Sequence, residues 1–370
     1  MTKLDALYLE HGQSAWVDNI RRDWINDGTL QNLVDRGVRG VTSNPSIFAK
    51  AVASTDAYDT LIASLATTDP EVAFEQLAVE DVRDACVILR PVYDASLRSL
   101  ASGERRSLDG YVSLEVSPRL AHDTEGTIAA AKRLAETLSD SPNLMIKIPA
   151  TKAGLPAISA VLALGINVNV TLIFSLERYS EVLEAFVEGI ERAHAAGLDV
   201  SRIASVASFF ISRVDSAIDP LLADGSNLRG VAAVAQAARA YDIFLERITS
   251  ARFEGIRAVG AQVQRPLWAS TSTKNPSYSD LLYVDTLIAS DTVNTLPDPT
   301  LEAYADHGDA TKSQLDNESA RRNLGSKLDE LETAGVDLTA ITQRLEDEGV
   351  AAFIASYDEL LATVTQKLRG

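Results

Sequence analysis

Short runs of apolar residues alternate along this chain with longer stretches of helical period. The most informative run is Leu144-Met145-Ile146-Lys147-Ile148-Pro149-Ala150-Thr151, a buried-strand pattern broken by one lysine. Strand side chains alternate faces, so Leu144, Ile146 and Ile148 share one side while Met145 and Lys147 share the other. With the aliphatic trio packed against covering helices, Lys147 points into the opposite interior of the sheet. A lysine there loses hydration, which disfavours its charged form and leaves the neutral amine a Schiff-base nucleophile needs. The alternative is a strand-end lysine whose ammonium snorkels to water.

The flanking segments repeat the pattern. A polar helical start leads into Ala15-Trp16-Val17-Asp18-Asn19, where Asp18 suits a helix cap as well as a catalyst. An amphipathic helix with Leu30, Leu33 and Val34 stops at Gly37, and a short strand bracketed by Gly40 and Pro45 follows. Pro45 keeps Asn44 out of helical geometry and suits the first turn of a helix. Asn44 can cap that turn or donate its amide to a ligand. Residues 50–105 are helical by pattern and form an insertion. In the next strand Val112, Leu114 and Val116 face one way, and Tyr111, Ser113 and Glu115 the other. In Gly165–Leu172 the polar face is Asn167, Asn169 and Thr171. Three polar groups on an inner face are unfavourable unless they serve one another, water or a ligand.

Further strands are expected within Ile203–Arg213 and at Pro266–Ser270 and Leu281–Val284. That makes eight, centred near residues 16, 40, 113, 146, 168, 205, 268 and 282 and mostly separated by helices. The repetition predicts an α/β fold, a (β/α)8 TIM barrel with helical insertions and a C-terminal helical extension. An open doubly wound sheet would favour a Gly-rich phosphate loop after the first strand, and none occurs. Residues 1–370 are expected to form a single domain, with barrel strands over about 15–290 and helices over 313–370 packed on the barrel. In that tail Val350, Phe353, Ile354, Tyr357, Leu361 and Val364 make a helical stripe suited to docking.

Composition narrows the chemistry. The 370 residues are 46% hydrophobic, enough for a large core. A single Cys86 excludes an intramolecular disulfide, and His11, His122, His194 and His307 show no metal-ligand spacing. No signal peptide or membrane-length apolar run is apparent, so a cytoplasmic, soluble chain is expected. The net charge of −18 disfavours nucleic acid as a partner. It also repels anionic small molecules, which local cations and backbone donors would have to hold.

In a barrel of this type the chemistry sits at the C-terminal ends of the strands. The polar residues there are Asp18, Asn44, Glu115, Lys147, Asn169, Thr171, Ser208 and Ser270. One amine and two carboxylates among amides and hydroxyls suit carbinolamine formation, dehydration and C–C cleavage, because each step moves a proton.

Three segments carry a family resemblance. Gly40-Val41-Thr42-Ser43-Asn44-Pro45-Ser46-Ile47-Phe48 and Leu144–Leu155 resemble the two signature segments of transaldolases, and Gly165–Ser175 resembles a third. The resemblance implies a class I aldolase-type barrel needing no metal or organic cofactor. Its reaction moves a dihydroxyacetone unit from a ketose phosphate to an aldose phosphate. By resemblance, Lys147 forms the Schiff base and Asp18 is the acid/base at the C4 hydroxyl. Glu115 moves protons through a water held with Thr171. Asn44, Asn169 and Ser208 hold substrate hydroxyls. Ser208-Phe209-Phe210-Ile211-Ser212-Arg213 resembles the family's Ser-Pro-Phe-Val-Gly-Arg-like segment, making Arg213 a phosphate ligand. Pairing of Arg213 with Asp215 or Asp219 is the alternative. Many relatives have Ser-Phe-Arg-Asn after the seventh strand, where this chain has Ser270-Thr271-Ser272-Thr273-Lys274-Asn275. Ser270 and Ser272 both suit the equivalent serine. Lys274 suits a second phosphate cation or an ordinary solvated lysine.

A fructose-6-phosphate aldolase that releases free dihydroxyacetone is the nearest rival. Small relatives of that kind tend to carry tyrosine where this chain has Phe210. A non-catalytic sugar-phosphate binder on the same barrel is the rival from another class. Family members differ in assembly, and monomer and homodimer both stand open.

Overall fold

The computed structural model describes residues 1–103 and 107–369. Positions 104 and 105 of the expected 50–105 helical stretch, and Gly370 at the chain's end, lie outside the described residues. Within that stretch the chain forms helices Pro45–Ser54, Asp59–Ser64 and Pro70–Ala101.

Among the described residues seven strands form: β1 (Gln13–Val17), β2 (Val112–Glu115), β3 (Leu144–Pro149), β4 (Val168–Ile173), β5 (Ser205–Phe210), β6 (Gln264–Ala269) and β7 (Thr292–Leu296). They make one curled parallel sheet in the order β1-β7-β6-β5-β4-β3-β2, with helices covering it in an α/β fold. The strand expected near residue 40 contracts to Val41, which bridges in parallel to Val17 on one side and Val112 on the other. Val17 N donates to Gly40 O at 3.0 Å, and Thr42 N to Val17 O, Val41 N to Tyr111 O and Ser113 N to Val41 O at 2.9 Å each. Both edges of the sheet are therefore hydrogen-bonded to the same short segment.

The last expected strand is misplaced. Leu281–Val284 enters the helix Leu282–Thr286, and Asp285 N donates to Leu281 O at 2.9 Å. The strand forms later, at Thr292–Leu296, beyond the 290 limit expected for the barrel. Its buried Thr292, Asn294 and Thr295 make it read as a polar loop, yet each finds a partner. Gln13 Nε2 donates to Thr292 Oγ1 at 2.9 Å, Thr271 Oγ1 to Asn294 Oδ1 at 2.9 Å, and Thr295 and Thr42 share a 2.6 Å hydroxyl bond. After it, Pro299 lies in the first turn of the helix Asp298–His307.

The lower end of the sheet is held by a buried acid. Asp109 accepts from Trp16 Nε1 at 2.9 Å and from Ser14, and pairs with Arg39 at 2.9 Å. Burial pushes its carboxyl up, but Arg265 and Arg39 outweigh this and leave it below the ordinary value. The opposite end is covered by the 31-residue C-terminal helix Leu338–Leu368. Its Val350, Phe353, Tyr357, Leu361 and Val364 are buried and Ile354 is partly buried, largely against helices Pro45–Ser54 and Pro70–Ala101. Ser46 and Ser356 join the first pair of helices by a 2.7 Å hydroxyl contact.

Gly40 is needed for close approach. A Cβ there would lie 2.4 Å from the Trp16 indole, which is fully buried and pinned through its nitrogen. Gly40→Ala is therefore expected to overpack this seam by about 1–3 kcal/mol. Thermal unfolding should show a midpoint several degrees lower, and an unchanged midpoint would contradict the packing described.

Candidate active site

Pairing register brings the central residues together. Glu115 on β2 lies opposite Lys147 on β3, and Lys147 opposite Asn169 on β4. In a parallel sheet such a row points to one face, so three polar side chains from three separate chain segments meet. Lys147 is only 5% exposed. Its Nζ lies 3.1 Å from Glu115 Oε2 and donates to Ser43 O at 3.0 Å. The snorkelling alternative for Lys147 is thus excluded.

Asp18 follows directly after β1. It does not cap the next helix, since residue 21 holds that position; its Oδ1 accepts from Thr42 Oγ1 at 2.6 Å. Burial raises the Asp18 carboxyl above its ordinary value, against the opposing charge of Lys147 and the Thr42 bond. Glu115 is raised likewise by burial, with Lys147 pulling it down and the charge of Asp18 adding a smaller upward push. The two acids and the amine therefore form one electrostatic unit.

The amides and hydroxyls continue the row. Asn169 Nδ2 donates to Ser113 Oγ at 3.0 Å, and Ser208 Oγ donates to Asn169 Oδ1 at 2.8 Å. Thr171 Oγ1 is buried with no hydrogen-bond partner among the described residues. Just beyond it the β4–β5 register slips, and Leu172 adopts the left-handed region at φ 60°. A β-branch-free but bulky side chain there is strained, as often occurs where a strand is re-aimed beside a functional group. Asn44 does cap its helix, Oδ1 accepting from Ile47 N at 3.0 Å, which leaves its Nδ2 as a donor.

A second cluster occupies the rim. Phe210 is buried with its ring 5.0 Å from that of Phe174, and the Arg213 guanidinium lies 5.5 Å from the Phe210 ring centre. Arg213 makes no hydrogen bond or ion pair among the described residues. The proposed pairing with Asp215 or Asp219 fails because both acids are engaged elsewhere. Asp215 accepts from Ala233 N and Tyr283 Oη, and Asp219 from Gly230 N and Tyr278 Oη. Burial lowers the Arg213 guanidinium from its ordinary value, opposed by the charge of Glu348. Lys274 donates to Ser272 Oγ at 2.6 Å, while Ser270 Oγ lies 3.0 Å from Ser212 Oγ in a left-handed turn at φ 58°. Burial lowers the Lys274 ammonium, and the charges of Arg213 and Lys50 lower it further. Three cations therefore converge at the rim of a chain whose net charge is −18.

Two of these neighbours, Lys50 and Phe353, were not expected from sequence as site residues. Lys50 belongs to the helix capped by Asn44, which springs from the site's own wall. Phe353 was read only as part of a docking stripe, yet its ring centre lies 5.6 Å from Lys147 Nζ.

A buried lysine paired with an acid at the strand ends of a curled parallel sheet defines an enclosed polar centre of the kind α/β enzymes carry, with an adjoining cationic rim. Comparison with known proteins agrees with that class. A family model described as transaldolase/fructose-6-phosphate aldolase matches residues 15–364, and the chain belongs to this family. It is 50% identical to transaldolase 1 of Streptomyces avermitilis over 371 aligned positions, covering 98% of this chain and 94% of that protein. Its identity to the transaldolase of Saccharopolyspora erythraea is 48%, over 99% of this chain and 98% of that one. To the transaldolase of Mycolicibacterium smegmatis it is 49%, over 95% and 93% respectively.

Lys147 is the charge that restrains both carboxyls. Lys147→Met should let burial dominate and move the Asp18 and Glu115 titrations to higher pH still. Carboxyl-detected NMR of the folded variant would test this; titrations unmoved or shifted to lower pH would refute the coupling.

Proposed function

We propose that this chain is a transaldolase, a transferase that carries a dihydroxyacetone unit between sugar phosphates through a Schiff base on Lys147. The donor is a ketose phosphate such as sedoheptulose 7-phosphate or fructose 6-phosphate. The acceptor is an aldose phosphate such as glyceraldehyde 3-phosphate or erythrose 4-phosphate, as in the non-oxidative pentose phosphate pathway. The observation that carries this reading is the buried Lys147 nitrogen at 3.1 Å from Glu115.

Glu115, whose carboxyl is raised by burial, takes the proton that Lys147 must lose to attack the C2 carbonyl. It returns a proton as the carbinolamine expels water and the imine forms. A water between Glu115 and the unpartnered Thr171 Oγ1 would relay these protons. Asp18 then removes the C4 hydroxyl proton, the C3–C4 bond breaks, and its electron pair delocalises into the imine as an enamine. The aldose phosphate leaves. An acceptor aldehyde is attacked by C3, its oxygen takes the proton from Asp18, and water hydrolyses the new imine.

Asn44, Asn169 and Ser208 hold the sugar hydroxyls. Arg213 and Lys274, with Ser270 and Ser272 beside them, hold the phosphate. The unpaired state of the Arg213 guanidinium supports this, since its fork suits a phosphate. The apolar Phe210 beside Phe174 favours transfer over release by keeping proton donors from the enamine.

The hydrogen bonds of residues 39–42 to β1 and β2 support reading the sheet as a closed (β/α)8 barrel. Docking of the Leu338–Leu368 helix supports one domain spanning the chain. Among the described residues no helix is long and apolar enough to cross a membrane. With the acidic charge, this favours a cytoplasmic enzyme of small metabolites.

Borohydride reduction in the presence of fructose 6-phosphate should add a dihydroxyacetone-sized mass to Lys147 and inactivate the enzyme. A label elsewhere, or none, would refute the mechanism. Arg213→Ala should raise KM for the sugar phosphates by about 10–150-fold, the equivalent of one lost charge-assisted contact. An unchanged KM would remove Arg213 from the phosphate site.

A further inference from the structure

We infer that Phe353, supplied by the C-terminal helix, is a positioning residue that seals the Lys147 nitrogen and sets the balance between transfer and release. This rests on the proposed Schiff-base reading and adds to it a role for a segment distant from the catalytic strands.

Three groups surround the nitrogen. The Ser43 carbonyl accepts from it at 3.0 Å, Glu115 pairs with it at 3.1 Å, and the Phe353 ring centre stands 5.6 Å away. The ring is 5% exposed, so it presents an apolar flank and keeps that flank from water. Its helix is anchored on either side of this residue. Arg178 pairs with Glu346 at 3.3 Å, and Ser356 meets Ser46 at 2.7 Å. Gly349 brings the helix against the strained end of β4; a Cβ there would lie 3.2 Å from Leu172 and 3.4 Å from Phe174. Phe174 in turn packs on Phe210. The apolar wall that begins at Phe210 thus continues through Phe174 to the C-terminal helix.

After C3–C4 cleavage the enamine has two fates. Attack of C3 on an aldehyde carbon forms the new bond and completes transfer. Protonation of C3, followed by addition of water to the imine and expulsion of the Lys147 amine, releases free dihydroxyacetone. Both fates need one water for the final hydrolysis, which the Glu115 and Thr171 side can supply. Only release needs a proton at carbon. An apolar ring near the nitrogen leaves the polar side open and denies an additional route for that proton. Phe353 packs in the core and also stands beside the amine, whereas the neighbouring Ile354, partly buried on the same helix, contributes packing and serves as the comparison.

The test compares Phe353→Ala, Phe353→Leu and, as a packing control, Ile354→Ala. For each, free dihydroxyacetone released from fructose 6-phosphate is measured against units transferred to erythrose 4-phosphate, read as the sedoheptulose 7-phosphate formed. Phe353→Ala should raise the release-to-transfer ratio by roughly tenfold, a change of one order in competing rates. Phe353→Leu, which keeps much of the apolar volume and serves if the alanine variant fails to fold, should raise it less. Ile354→Ala should leave the ratio alone even where it lowers activity. If release and transfer fall together in the folded Phe353 variants, or the ratio stays parental, Phe353 is packing only and the inference is overturned. Borohydride trapping on the parent keeps the two failures apart. Label on Lys147 with a parental ratio in the variants overturns the role of Phe353 alone, whereas no label in the parent overturns the Schiff-base reading beneath it.

Discussion

The ion pair between Lys147 and Glu115 is the constraint to which the rest of the structure answers. Removing two charges from water is penalised by several kcal/mol per ion, and their attraction in the interior repays this only with good geometry and additional hydrogen bonds. An aliphatic pair would fill the same space with less risk to stability. The neighbours instead supply what the charges require: a carbonyl from Ser43, a second acid at Asp18, and a polar row through Asn169 and Ser208. Register provides the geometry, because β2, β3 and β4 pair so that Glu115, Lys147 and Asn169 stand abreast. A one-residue slip would send all three to the opposite face.

The alternation around Lys147, Glu115 and Asn169 was legible because each strand has a dense apolar face that contrasts with its polar one. β7 was not legible for the opposite reason. Thr292, Asn294 and Thr295 bond to Gln13, Thr271 and Thr42, partners 279, 23 and 253 residues away in sequence. Polar residues paired at such range look like a loop to any local reading, and the more apolar Leu281–Val284 took the strand's place. Val41 was placed correctly on a β-like segment, but nothing local showed that Gly40 lies against Trp16 and that this seam narrows to one bridging residue. The capping alternative for Asp18 and the ion-pair alternative for Arg213 were likewise removed by non-local contacts. Thr42 engages Asp18, while Tyr283 and Tyr278 engage the acids that could have neutralised Arg213.

The same limit explains the two neighbours missed. A helical stripe reveals that Phe353 is buried, but not what it is buried against. Lys50 is one exposed lysine on a short helix until that helix is placed beside Lys274. In both cases the sequence pattern fixes the face of the helix and tertiary docking fixes the target.

Charge and apolarity are divided along the site. The overall acidity repels an approaching phosphate, so the cations must act at short range, where screening and the chain's distant carboxylates matter least. In the proposed phosphate site, Arg213, Lys274 and Lys50 would meet that requirement at the rim. Phe210 lies beneath the Arg213 guanidinium, and the aromatic wall runs on from it toward the C-terminal helix. The wall lies between the cationic rim and the enclosed end that holds Lys147, Glu115 and Asp18. Burial raises both acids, and water admitted beside them would moderate that effect. The C-terminal helix is part of that enclosure, since its Phe353 ring centre stands 5.6 Å from the Lys147 nitrogen.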